Sequence, residues 1–235
     1  MTNKVTYNDE ALLLIRKLAE INKKLTIKKS EDGKHILINS HNPSRSIVYE
    51  LTAPIDFFDF EGDTISFFDY KEFFTLLSVN DDPIVSQNGV KLEITKNRAK
   101  LQYHLADLEA VEDEDEEYVA FEESHATVKI TAETLKTFKT MASLTKAEEL
   151  TFKVEGDKLL IKLFNIDTEP SYEEDFDLES PATEDFEFVV DPEVIKLAPE
   201  NDYVIDLHSS GVIKFTYKNN INIDLNLYIA ESEEK

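Results

Sequence analysis

Cysteine is absent from the 235 residues, which excludes a disulfide framework, a thiolate zinc site and a cysteine nucleophile and fits a reducing, intracellular setting. Glycine is nearly as scarce: with 5 in all, a phosphate-cradling loop is out of reach, and GxGxxG, GxxxxGK and GxSxG motifs do not occur. No apolar run approaches the roughly 20 residues of a membrane span, and the start MTNKVTYNDE carries no apolar signal core, so a soluble, cytoplasmic protein is expected. The histidines His35, His41, His104, His125 and His208 show neither HExxH nor a paired metal spacing. Asp81-Asp82 and the EDEDEE run lack the spacing and the glycine of a calcium loop. The expectation is no metal, no cofactor and no catalytic residue. Any two carboxylates of so acidic a chain could meet in a cleft, but none singles itself out as an acid–base pair.

Positive charge is also in short supply. Against 49 Asp and Glu there are 25 Lys and Arg, a net charge of -24, whose long-range field repels a polyanion. Placement matters more than the sum. The segment 107–123, DLEAVEDEDEEYVAFEE, holds ten acids and no base, and the stretch Asp167 to Glu187 holds another ten and no base. Solvated, solubilising surface is the plain reading of both runs.

What the chain does have is a repeat. VTYNDEALLLIRKLAEINKKLTIKKSEDGKHILIN from Val5 aligns with VKITAETLKTFKTMASLTKAEELTFKVEGDKLLIK from Val128, a shift of 128 - 5 = 123. Glu10 meets Glu133, Leu12 meets Leu135, Ile15 meets Phe138, Arg16 meets Lys139, Ala19 meets Ala142 and Gly33 meets Gly156. Further on, Asp69 meets Asp191, and Asn88-Gly89 meets Ser210-Gly211 at a shift of 211 - 89 = 122. A nearly constant shift over such a length means two copies of one domain. The expected division is 1–106, an acidic connector 107–124, and 125–235.

Each copy reads as a short strand, an amphipathic helix, a run of strands, a shorter helix and a closing hairpin, an α+β pattern dominated by strands. Alternation and β-branched content mark LTIKK, KHILIN, SIVYEL, VKLEI and AKLQYHL in the first half. ELTFKV, KLLIKLF, YVIDLH, VIKFTY and INIDLNLYI are their counterparts in the second. The long helices are expected over 8–24 and 131–146, capped by Asn8 and Thr131. Ala11, Leu12, Ile15, Leu18, Ala19 and Ile21 share one face, as do Leu135, Phe138, Met141, Ala142 and Leu144. The opposite faces carry Arg16, Lys17, Lys23 and Lys24, diluted by Leu13 and Glu20, and then Lys136, Lys139, Ser143 and Lys146 with no acid. Late-helix lysines also complement the dipole, so a solvated face accounts for each alone. Repetition on equivalent faces of an acidic chain is the stronger signal, and Lys71 and Lys196 in the shorter helices point the same way. A face of this kind is locally positive within a Debye length of about 8 Å, whatever distant acids do.

EALLLIRKLAEIN, IDFFDF and FFDYKEFFTLLSVNDDPIVSQ, followed more weakly by ITAETLKTF, ELTFKVEGDKLLIKLFN and the last strands, resemble the sliding clamps of T-even-type bacteriophages, relatives of the PCNA-like clamps. The resemblance covers most of the chain and is poor in the acidic connector and from Asp167 to Glu187. It implies two similar clamp-type domains with helices on the inner face of a ring and antiparallel sheets outside, three subunits closing around duplex DNA. The inner cations carry over to Arg16 and, through the repeat, to Lys139, with Lys17, Lys23, Lys71, Lys136, Lys146 and Lys196 as companions. They would touch phosphate without reading sequence. The resemblance further implies a DNA polymerase tethered to the ring and an ATP-driven clamp loader. It also implies a groove beside the connector for a partner's hydrophobic tail, formed from Leu108, Val111, Tyr118, Val119, Phe121, Leu227, Tyr228 and Ile229; packing of the connector onto the sheet is the other reading of these residues. The rival function is a monomeric or dimeric interaction protein, a DNA mimic acting through its acidic surface, with an enzyme a distant third.

Overall fold

A computed structural model describes residues 3–7, 9–78, 83–96, 98–111, 123–167, 171–217 and 223–231. The chain divides into two compact units, residues 1–43 with 50–117 and residues 44–49 with 118–235. The first contains β1 (Asn3–Tyr7), α1 (Asp9–Ile21), β2 (Leu25–Lys29), β3 (His35–His41), most of β4 (Ile47–Pro54), β5 (Phe58–Asp59), β6 (Thr64–Phe67), α2 (Tyr70–Ser78), β7 (Ile84–Asn88), β8 (Lys91–Lys96) and β9 (Ala99–His104). The second runs β10 (Ala126–Ile130), α3 (Ala132–Thr145), β11 (Glu149–Glu155), β12 (Lys158–Phe164), β13 (Ser171–Asp177), β14 (Phe186–Val190), α4 (Glu193–Leu197), β15 (Tyr203–His208), β16 (Val212–Tyr217) and β17 (Asp224–Ala230).

Strand order repeats with element order. β4-β3-β2-β6 in the first unit corresponds to β13-β12-β11-β14 in the second, and β1-β7-β8-β9 corresponds to β10-β15-β16-β17. Every registered pair is antiparallel, from Leu25↔Phe67 in β2 and β6 to Leu150↔Val190 in β11 and β14. Paired glycines shape paired turns. Gly33 and Gly156 adopt φ of 66° and 61°, a region an L side chain enters only at a cost, and each sits in the hairpin between equivalent strands.

Alternation explains the strands. In β4, β11 and β15 every second side chain is buried, so one face of each sheet enters a core. In α1 the buried residues Ala11, Leu12, Ile15, Leu18, Ala19 and Ile21 form the expected stripe, joined by Leu14. The helix stops at Ile21, so Lys23 and Lys24 lie in the turn beyond it.

In α3, Thr131 caps the first turn, its Oγ1 accepting from the Thr134 N–H at 3.2 Å. Leu135, Phe138 and Ala142 are buried as expected, but Leu144 is 71% exposed. At 100° per residue position 144 lies opposite position 135, and Thr145, one heptad from Phe138, takes the inward place.

The string FFDYKEFF becomes an aromatic cluster in the first unit. Phe67 lies 5.1 Å from Tyr70 and 5.0 Å from Phe73, and Phe73 lies 5.5 Å from Tyr103. Each such buried ring contributes roughly 1.5–3 kcal/mol by burial. The Tyr103 hydroxyl donates to the Asp69 carbonyl at 3.0 Å and accepts from the Asp69 N–H at 3.2 Å, which fixes the entry to α2. Asp69 Oδ1 then accepts from the Glu72 N–H at 3.1 Å, and its repeat partner Asp191 does the same for Glu193 at 2.8 Å.

Candidate nucleic-acid interface

Within each unit the long helix packs against the short one, α1 on α2 and α3 on α4. On the outer side of the first pair Arg16, Lys17 and Lys71 are exposed, with Leu13 beside them at 56% exposure. The Arg16 guanidinium lies over the Phe74 ring at 4.8 Å from its centroid, which aligns the charge with both helices while one face stays open. Lys17 Nζ reaches Glu20 at 3.3 Å, an exposed pair of little energetic weight. Lys23 and Lys24 stand 5.7 Å and 5.9 Å from the exposed Phe68 ring, and Lys24 also donates to the Ala110 carbonyl at 3.2 Å.

The second unit repeats the theme with different partners. Lys136 and Lys146 are exposed, Lys146 closing α3 in a left-handed conformation with φ 50°. Its carbonyl accepts from Asn165 Nδ2 at 2.6 Å. Lys139 is held: its side chain is only 15% exposed, its Nζ donates to the Ala198 carbonyl at 2.6 Å, and Glu200 stands 3.7 Å away. The reason lies in the wheel, because position 139 is 60° from Ala142 and borders the buried stripe. Lys196 is paired with Glu193 one turn earlier on α4. Among the described residues Arg16, Lys23, Lys71, Lys136 and Lys146 have no carboxylate at ion-pair distance.

One feature was not read from the sequence. Thr137, Thr140 and Ser143 line the outer side of α3 at intervals of three, and each hydroxyl donates back to the carbonyl four residues earlier, at 3.0, 2.9 and 3.0 Å. Thr75 does so to Lys71 in α2 at 2.8 Å. The signal was the T-x-x-T-x-x-S spacing, which marks one side of a helix as plainly as the lysines do.

The residues expected to form a partner groove are not all comparable. Tyr118, Val119 and Phe121 lie outside the described residues. Leu108, in a single 3-10 turn over 108–110, is 39% exposed, and Val111 is buried. On β17, Leu227 and Ile229 are each 2% exposed and point into the core, while Tyr228 between them lies half-buried under Lys214 Nζ at 5.6 Å. Packing therefore accounts for Leu227 and Ile229.

No group of three or more metal-ligating side chains exists among the described residues. No helix among them is long and apolar enough to cross a membrane.

Two copies of one unit, each with a helix pair and antiparallel sheets, define the class: this is the PCNA-like clamp fold. The chain superimposes on a PCNA of A. fulgidus bound to the C-terminal region of FEN-1, with a TM-score of 0.73 and 13% identity over 100% of both chains. A PCNA2-PCNA3 complex from Sulfolobus tokodaii gives 0.74 and 17% over 100% of both chains. The proliferating cellular nuclear antigen of Entamoeba histolytica gives 0.74 and 16% over 99% of this chain and 100% of that one. No protein-family model and no curated relative matches the sequence.

Proposed function

We propose that this protein is a DNA sliding clamp of the T-even bacteriophage type. It is a non-enzymatic scaffold of which three copies close a ring around duplex DNA and tether a replicative polymerase. A clamp loader spends ATP to place the ring, which then works in the cytoplasm of the host cell. The observation that carries the reading is the duplication: in a chain of net charge -24, the same outer side of the long helix is cationic in both copies of a clamp-type fold. Arg16, Lys23, Lys71, Lys136 and Lys146 supply loose phosphate contacts, which is all that topological retention requires. Lys17, Lys139 and Lys196 stand beside them with their charge partly compensated by Glu20, Glu200 and Glu193. Leu108 and Val111, with the connector beyond them, are the place for a partner's apolar tail, and the surrounding acids would steer a basic segment there.

The deciding experiment pairs absolute mass in solution with retention on DNA. Three times 27.0 kDa, with the protein held on circular and lost from linear duplex, supports the clamp. A persistent monomer or dimer, insensitive to reversal of the helix lysines and active through its acidic surface, supports the DNA-mimic alternative.

A further inference from the structure

Two strands end their sheets without a neighbour among the described residues, β9 in the first unit and β13 in the second. The repeat supplies a template for what such edges accept. β17 is the counterpart of β9 and β4 the counterpart of β13, and the second unit includes residues 44–49, where β4 starts. There the Ala230 N–H, at the end of β17, donates to the carbonyl of Ser46 at 3.0 Å. The end of one strand beside the start of the other lets them overlap only if they run antiparallel. An edge equivalent to β17 thus has a built-in match for an edge equivalent to β4, and one of each remains open.

Their charges are opposite. The ribbon of β8 and β9 carries Lys91, Lys96, Arg98 and Lys100 against the single acid Glu93. β13 carries Glu173, Glu174, Asp175 and Asp177 with no base. Part of each set is already engaged within its own sheet: Lys100 with Glu93 at 2.6 Å, Glu173 with Lys162 at 3.1 Å and Asp177 with Lys158. Arg98 and Asp175 have no ion-pair partner among the described residues. In an antiparallel match the start of β9, with Arg98 and Lys100, meets the end of β13, with Asp175 and Asp177, so the uncompensated charges fall at the same end.

We propose that the β9 edge of one copy of this chain pairs antiparallel with the β13 edge of a second copy, through an ionic seam of Arg98 and Lys100 against Asp175 and Asp177. This deepens the ring reading and rests on it. Unpaired backbone groups on both edges supply the ladder, and the charges set the polarity, so that copies join head to tail and like edges repel. The acidic stretch of the second half thereby acquires a role beyond solubility.

The test follows the full-length chain by light scattering across concentration, at about 0.1 M and about 1 M salt, where the screening length falls from roughly 10 Å to roughly 3 Å. Arg98→Glu with Lys100→Glu, and separately Asp175→Lys with Asp177→Lys, should each weaken self-association by about tenfold or more at low salt. All four changes in one chain should restore it, because every seam then carries reversed but complementary charge. These side chains are exposed, and circular dichroism with thermal melts verifies that each variant folds. If the wild type is a trimer and both half-reversals leave it equally stable, or if the four-fold variant folds without recovering, the seam is wrong while the ring stands. A wild type that stays monomeric at every concentration and both salts overturns the ring and the seam with it.

Discussion

Lys139 Nζ donates to the carbonyl of Ala198 across 2.6 Å, at the residue that ends α4, and so ties the long helix of the second unit to its short one. One repeat earlier, Arg16 makes the corresponding link by lying 4.8 Å above the Phe74 ring of α2. The two cations best matched by family resemblance thus also fix the helix pairs that display the others.

Lys139 therefore separates from its neighbours by experiment. Lys139→Met strands the Ala198 carbonyl and should cost roughly 1–2 kcal/mol, whereas Lys136→Met on the exposed side should change stability by less than about 0.5 kcal/mol. Urea midpoints at constant slope are the measurement. Equal effects would mean that the Ala198 bond contributes nothing.

DNA retention should depend on the other set. Lys71→Glu, Lys136→Glu and Lys146→Glu together should shorten the dwell on circular duplex and leave the solution mass unchanged. For equilibrium binding, the salt slope should fall by about 0.9 per phosphate contact removed. Unaltered retention would move the DNA contact away from these helices.

Tyr70 is fully buried and its hydroxyl has no hydrogen-bond partner among the described residues. Tyr70→Phe should stabilise the protein by about 1 kcal/mol, since the ring stays and an unsatisfied polar group goes. Burial also pushes the Tyr70 and Tyr203 phenols well above the ordinary 10.0. Both must stay neutral in the fold while the unfolded chain ionises near pH 10, so their contribution is whole below that pH and lost as pH rises beyond it. Thermal melts from about pH 9 to about pH 11 should show a shallower decline for Tyr70→Phe than for the wild type.

The repeated caps and turns give matched pairs of variants. Asp69→Ala and Asp191→Ala each remove a first-turn acceptor and should each cost about 1 kcal/mol. Gly156→Ala should cost a similar amount through its φ of 61° alone. Gly211→Ala should cost more, because its Cβ would also come within 2.6 Å of Glu231 Cβ. Melting temperatures rank the four, and equal losses at the two glycines would show that Glu231 moves aside freely.

Much of the fold was legible because alternation and turn chemistry agreed. LTIKK, KLLIKLF, YVIDLH and VIKFTY coincide with β2, β12, β15 and β16 to the residue. β13 was not legible: its sequence SYEEDFD reads as a charged surface, and Glu and Asp are poor strand formers. What makes it a strand is tertiary. Phe138 of α3 lies 5.7 Å from Tyr172 and 5.9 Å from Phe176, and the lysines of β12 hold the acids between them. At the candidate site the cations were visible as a pattern, but a helical wheel cannot tell an exposed lysine from one that, like Lys139, bends over the stripe's border to reach a carbonyl. The same limit put Leu144 in the core, because two inward positions one turn apart are equally apolar until packing chooses between them.

The back-bonded hydroxyls of α3 have a consequence for anything moving past them. A serine or threonine whose proton is already given to its own helix has nothing left to donate to a phosphate, so the wall between the lysines offers no directional latch. Charge alone remains, and charge varies smoothly with distance. A duplex threaded along such a surface meets shallow, overlapping wells rather than discrete stops, and its translation is limited by viscous drag rather than by bond-breaking.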